Sequence, residues 1–274
     1  MKRRVGSAVI LSVFTVVLAL VVSAIRPASV QTQANRLPRT TDGKPNLTGI
    51  WQSMTTANWD IQAHESKAGP VVSLGAAFAV QGGPGIVEGN DIPYLPAAAK
   101  KKAENAANWM TLDPEVKCYM PGVPRATYQP FPFQIVQSPQ NIIIAYEFAS
   151  ASRVVRMDSK EESPAPAWMG WSIGHWEGDT LVVVVTDNDE RTWFDRAGNH
   201  HSADMKVTER YTLADPNVLN YEATIEDAKT FSRPWKISFP LYRRMEKNLQ
   251  LLEFKCVPFT EELLYGKFRK PGAR

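Results

Sequence analysis

Histidine is scarce, four in 274 residues, and none stands in the His-Glu-x-x-His spacing that places two ligands on one helix face for zinc. A Gly-x-Ser-x-Gly elbow is also missing, so Ser202 beside His201 has no frame for nucleophilic attack, and Cys118 stands within Lys-Cys-Tyr-Met-Pro without one. The acidic run Asp187-Asn188-Asp189-Glu190 offers calcium-type oxygens but lacks the glycine and the spaced acid of an EF-hand. No metal and no cofactor is implied. Cysteine is limited to Cys118 and Cys256, too few for a disulfide scaffold. A basic field is missing too. Lys2, Arg3, Arg4 and Arg26 precede residue 35 with no acid among them, and the remainder carries 27 basic against 28 acidic residues. That near-neutral average disfavours nucleic acid and anionic membranes as partners.

What is present begins with a leader. Lys2-Arg3-Arg4 precedes an uncharged apolar run from Val5 to Ile25 that ends at Arg26-Pro27, the pattern of an export signal. Cleavage after Val22-Ser-Ala24 or Thr32-Gln-Ala34 would make residues 1–34 a signal; left uncut, the run is nearly long enough to be a membrane anchor. Either way the body is expected in the periplasm or outside the cell. In that oxidising space Cys118 and Cys256 either pair or remain two buried thiols.

Residues 35–274 are expected to form a single β-rich domain. Leu47 to Trp51 predicts a first strand, and residues 54–110, rich in Gly, Ala and Val without a sustained period, predict a surface excursion. Within it, 96–110 predicts the one helix, from Pro at a first turn followed by Ala-Ala-Ala-Lys-Lys-Lys-Ala-Glu-Asn-Ala-Ala. Beyond Pro114 the chain reads as short strands at 131–137, 141–148, 153–157, 171–176, 180–186, 205–213, 218–226, 235–241 and 251–256, separated mostly by tight turns such as Glu-Gly-Asp. The expectation is a mainly β, antiparallel up-and-down barrel or a closely related sandwich.

Alternation by two gives these strands faces. Met205, Val207, Glu209, Tyr211 and Leu213 share an apolar face, so the Glu209 carboxylate needs an inward arginine such as Arg153 or Arg156, a hydrogen-bond shell or a proton. The same count puts His175 with Trp171 and Ile173 on an apolar-looking face, with Trp235, Ile237, Phe239 and Leu241 opposite. The expected site is an aromatic interior: Glu209, His175 and Tyr211 as candidate catalytic groups, and Trp171, Trp193, Trp235 and His201 as ligand contacts. His201, Asp204 and Glu209 have metal-ligand chemistry but no recognised spacing.

Gly49-x-Trp51 resembles the first strand of lipocalin-like barrels. The blocks Lys117-Cys-Tyr-Met-Pro-Gly-Val-Pro-Arg125, Trp176-Glu-Gly-Asp-Thr-Leu-Val-Val183, Arg191-Thr-Trp-Phe-Asp195 and Val207-Thr-Glu-Arg210 resemble a group of secreted bacterial proteins of no assigned activity. The resemblance covers roughly residues 46–256 and implies bacterial export and one β-rich domain; it carries over no catalytic residue. It departs at Met205-Lys206, where Leu-His is expected. The leading function is binding a small apolar or aromatic molecule in the barrel. An acid–base enzyme of lyase, isomerase or hydratase type is the first alternative, and a structural or envelope-assembly protein the second.

Overall fold

The computed structural model describes residues 37–69 and 71–268, so the leader at 1–34 lies outside the described residues. Nine strands, β1 (Gly49–Ser53), β2 (Phe133–Gln137), β3 (Asn141–Tyr146), β4 (Ser152–Met157), β5 (Trp171–Glu177), β6 (Thr180–Thr186), β7 (Lys206–Asp215), β8 (Val218–Glu226) and β9 (Trp235–Arg243), close into a barrel. The mainly β barrel expected from the turns is present, with one difference in pairing. An odd number of strands cannot close into a ring by antiparallel neighbours alone, because each such step reverses direction. One parallel step is required, and it falls between β4 and β5. The connection from Asp158 to Gly170 returns along the outside to make it, held by Trp171 Nε1 donating to the Glu161 carbonyl.

Closure also explains why 251–256, predicted as a strand, is not one. β1 pairs with both β2 and β9, so the barrel has no edge left for a tenth strand. At that seam Gly49 sits at φ 151°, and a Cβ there would lie 2.0 Å from the guanidinium of Arg243, which stacks over Trp51. The segment after β9 instead runs to a disulfide, Cys118–Cys256, and a short helix, Thr260–Tyr265.

The two barrel ends differ in their connections, and we call the end with short turns narrow and the end with long segments broad. At the narrow end β2–β3, β5–β6 and β7–β8 are joined by tight turns, and residues 37–48 lie across it, tied by Arg39 to Asp179 at 2.6 Å and by Leu47 N–H to Gln137 at 2.9 Å. At the broad end the strands open into residues 54–132, 187–205 and 227–234. The predicted helix is two, α1 (Pro96–Ala107) and α2 (Trp109–Leu112), broken at Asn108; Thr260–Tyr265 is α3. Part of residues 54–110 reaches the core. β1 ends opposite Leu241, which leaves the start of β9 unpaired on one side. Val87 bridges Ile237 and Ser238 N–H donates to the Ile86 carbonyl there, burying Ile61, Ile86, Val87 and Ile92 in the core. Inward side chains fill the barrel itself, Trp51, Phe133, Ile135, Ile144, Tyr211 and Tyr221 being almost fully buried.

Candidate functional site

Glu209 projects inward between Val207 and Tyr211, as the alternation predicts, and is fully buried. Its counter-ion is Arg153 on β4, whose Nη1 and Nη2 donate to Oε2 at 2.6 Å and Oε1 at 2.8 Å. Tyr211 and Tyr221 donate to Oε1 at 3.0 and 2.8 Å, while Arg153 Nε donates to the Tyr146 hydroxyl at 3.1 Å and Nη1 to Ser172 at 3.3 Å. Burial opposes the Arg153 charge most, but Glu209, Tyr146 and Tyr211 together outweigh it and raise the arginine pKa. Burial first, then the Glu209 charge, push both tyrosines well above their ordinary value, so they stay neutral donors. Both oxygens of Glu209 accept hydrogen bonds from within the protein.

The inward position expected of His175 and Trp171 is corrected. Parity on β5 is as predicted, but the opposite face points in: Ser172 and Gly174 are inside, and Trp171, Ile173 and His175 are outside. Arg153 needs the room, since Ser172 offers it a small hydroxyl, and a Cβ on Gly174 would lie 2.6 Å from Val155 Cγ1. Outside, the Arg156 guanidinium caps the Trp171 ring at 3.6 Å, and exposed His175 lies 3.2 Å from Glu177. Hydrophobicity alone ranked the tryptophan inside; an arginine stacked over it makes the outer face a stable place for it.

The other expected ligand contacts converge at the broad end. Trp235, at the start of β9, meets Phe231 and Phe194 edge-on, both with ring centres at 5.3 Å. Phe231 packs on Tyr94 at 5.0 Å, and Tyr94 stacks on His200 at 5.7 Å. His201 meets Phe194 at 5.5 Å, and Trp193 bridges His200 through the backbone. His201 is not free to act on a ligand: Nδ1 lies 2.7 Å from the Ser202 carbonyl and Nε2 2.7 Å from Thr192 Oγ1, and burial lowers its pKa. Nor do His201, Asp204 and Glu209 meet. Asp204 pairs with Lys229, Glu209 with Arg153, and among the described residues no three His, Cys, Asp or Glu side chains gather as a metal site. In the acidic loop, Asp189 pairs with Arg191 and Asn188 donates to the Met205 carbonyl.

Two buried atoms in this aromatic group have no hydrogen-bond partner, the Trp235 indole Nε1 and His200 Nδ1. A buried N–H without an acceptor costs about 1–3 kcal/mol. Burial, then Lys101, depress the His200 pKa to about 4, so the ring is neutral at pH 7.

Sequence reading missed the polar shell around this end. Asp195 accepts from Ile61 N–H at 2.9 Å, and from the Asn199 amide side chain and backbone N–H at 2.6 and 3.1 Å. Its complete burial, then the charge of Asp60, raise its pKa to about 6 despite those bonds. The Tyr94 hydroxyl donates to Asn199 and accepts from His200 N–H. Farther along, Arg125 is buried with Asp113, through two bonds of 2.9 Å, and with Glu115, which also accepts from Gln129. Burial raises the Glu115 pKa to about 7 against the pull of Arg125. The signal for Asp195 was its place four residues before Asn199 with Gly198 between, two turn-forming residue types at a glycine. Asp113 and Arg125 are joined only by tertiary folding.

Comparison with protein-family models, with curated proteins and with solved structures finds no match to this chain.

Proposed function

We propose that this protein is exported and binds a small aromatic molecule at the broad end of its barrel, against Tyr94, Phe194, Phe231 and Trp235. The observation that carries the reading is the unpartnered Trp235 N–H, 3% exposed, in a group of rings that also holds His200 Nδ1. An aromatic ligand bearing a carbonyl, phenolate or heterocyclic acceptor would satisfy the indole N–H and add ring contacts, the combination that small-molecule sites use. The site moves from the barrel interior, which aromatic side chains already fill, to the segments that close it. The Cys118–Cys256 bridge agrees with export, and no helix among the described residues is long and apolar enough to cross a membrane.

Native mass spectrometry on protein purified from the exported fraction of its own host tests this. Wild type is expected to carry a small-molecule mass, and Trp235→Phe, which keeps the ring and removes the N–H, to carry about three- to tenfold less, the worth of one hydrogen bond. Wild type without any bound mass, or Trp235→Phe carrying as much as wild type, refutes the proposal. A second reading, an envelope-assembly role, rests on the barrel exterior. There Val136, Ile143 and Val154 stand in register across β2, β3 and β4, all exposed.

A further inference from the structure

Helix α3 reaches the body through charge more than through burial. A surface helix ordinarily docks by its apolar side. In α3 no residue is buried, and Leu263 and Leu264 are 69% and 54% exposed. Glu261 makes the approach instead, 2.9 Å from Arg196, while the Tyr265 ring lies 4.9 Å from Phe78. The bridge at Cys256 and Phe259 N–H, which donates to the Val116 carbonyl at 2.6 Å, keep that carboxylate close to the arginine.

Arg196 is positioned without help from α3. Its guanidinium lies 4.6 Å from the Trp59 ring centre and 4.8 Å from that of Trp109, two rings that meet edge-on at 5.7 Å. Two aromatic rings therefore fix its attitude before any ligand arrives. Its backbone N–H donates to the Asn58 carbonyl at 3.2 Å, and the preceding Asp195 anchors the loop through Ile61 and Asn199. The pair with Glu261 is incomplete. A guanidinium can give a carboxylate two parallel N–H bonds, yet here a single bond runs from Nη1 to Oε1. Arg196 Nε and Glu261 Oε2 are both buried and, among the described residues, have no hydrogen-bond partner. The helix backbone sets where the Glu261 carboxylate stops; a free acid carries no such constraint.

We propose that Arg196, with Trp59 and Trp109, is a binding site for a small organic carboxylate, and that Glu261 is an internal competitor which the ligand displaces. The ligand's carboxylate takes two N–H bonds from Arg196, Nε included, and its apolar part lies along the tryptophan rings. Little burial is lost when α3 moves aside, because its leucines are already in water. The site shares no residue with the ring group of Tyr94, Phe194, Phe231 and Trp235 and does not depend on it.

Hexanoate is the probe, since it has a carboxylate and an apolar part but no ring for the Trp235 group. Ligand-observed NMR titration of the full chain is expected to show binding of hexanoate and not of hexanamide, its neutral counterpart. At saturation, hydrogen–deuterium exchange at residues 257–268 should speed up about fivefold while the barrel strands keep their protection. Glu261→Gln removes the competing charge and should bind hexanoate about tenfold more tightly, a gain that misfolding cannot produce. Arg196→Lys keeps the charge but loses the two-pronged geometry and should bind about tenfold more weakly. No hexanoate binding in wild type and Glu261→Gln alike overturns the proposal. So does equal affinity of those two proteins, hexanamide binding as tightly as hexanoate, or unchanged exchange at residues 257–268. Trp235→Phe should leave hexanoate affinity as in wild type; a parallel loss there would assign the acid to the ring group and overturn this site alone.

Discussion

The middle of the barrel and its broad end treat buried polar groups in opposite ways. In the middle, Arg153, Glu209, Tyr146, Tyr211, Tyr221 and Ser172 satisfy one another, and none of their atoms is among the buried polar atoms left without a partner. At the broad end, carboxylates are buried with raised pKa values, and the Trp235 and His200 nitrogens lack partners. A closed network specifies a structure; an open one beside aromatic rings is where binding a further molecule gains free energy. Burial and an ionisable group do not by themselves mark a site. Whether the group's valences are already filled within the chain decides.

The largest expected effect is in the middle. Glu209→Gln strands the Arg153 cation in a shell of tyrosines and should lower unfolding free energy by about 3–5 kcal/mol in denaturant titration. A loss below about 1 kcal/mol would mean that the network contributes little and that the contrast is false. Next, Cys118→Ser/Cys256→Ser opens a loop whose ends are 138 residues apart and should cost about 2–4 kcal/mol, below the roughly 5 kcal/mol of the loop-entropy model, with faster exchange confined to the broad end and the segment after β9.

A smaller effect comes from pH. Asp195 and Glu115 have folded pKa values of about 6 and 7, above their ordinary ones, so they bind protons more tightly in the folded state. Their contribution is fully present below the unfolded carboxylate pKa and is lost as pH rises through 6 and 7. Stability should therefore fall by roughly 1–3 kcal/mol between pH 5 and pH 8. His200, with its pKa lowered to about 4, works the other way and erodes stability below pH 6.5, which blunts the gain on the acid side. Asp195→Asn should flatten the segment around pH 6 in melts taken across this range; an unaltered profile would remove Asp195 from the explanation. Smallest of all, Trp235→Phe without ligand should leave stability within about 1 kcal/mol of wild type or raise it, because it deletes a buried donor that has no acceptor.

Periodicity carried the barrel. Alternation set the inward face of β7 and β9 correctly, because their apolar residues recur every second position without exception from Trp235 to Leu241 and are interrupted only by Glu209 on β7. It failed on β5, where both faces carry a tryptophan and the inner one is chosen by the space that Arg153 needs across the barrel. It also failed at 251–256, where an apolar, strand-like run meets a barrel with no edge to offer. Residues 54–110 read as an excursion for want of a sustained period, and the irregular backbone at Ile86 and Val87 within them covers the unpaired start of β9. Part of this end was legible: Trp235 and His201 both meet Phe194, Trp193 reaches the group only through its backbone bridge to His200, and Tyr94, Asp195 and Asn199 were invisible because segments distant in the chain bring them there.

The central claim, that the middle holds the fold and the broad end holds the ligand, is tested most directly by one paired measurement. Wild type, Glu209→Gln and Trp235→Phe are isolated from the exported fraction and compared by native mass spectrometry alongside denaturant unfolding. The account predicts that folded Glu209→Gln is destabilised but keeps the bound mass, and that Trp235→Phe is as stable as wild type but carries about three- to tenfold less of it. A Glu209→Gln variant as stable as wild type that loses the bound mass, with Trp235→Phe retaining it, would contradict the account.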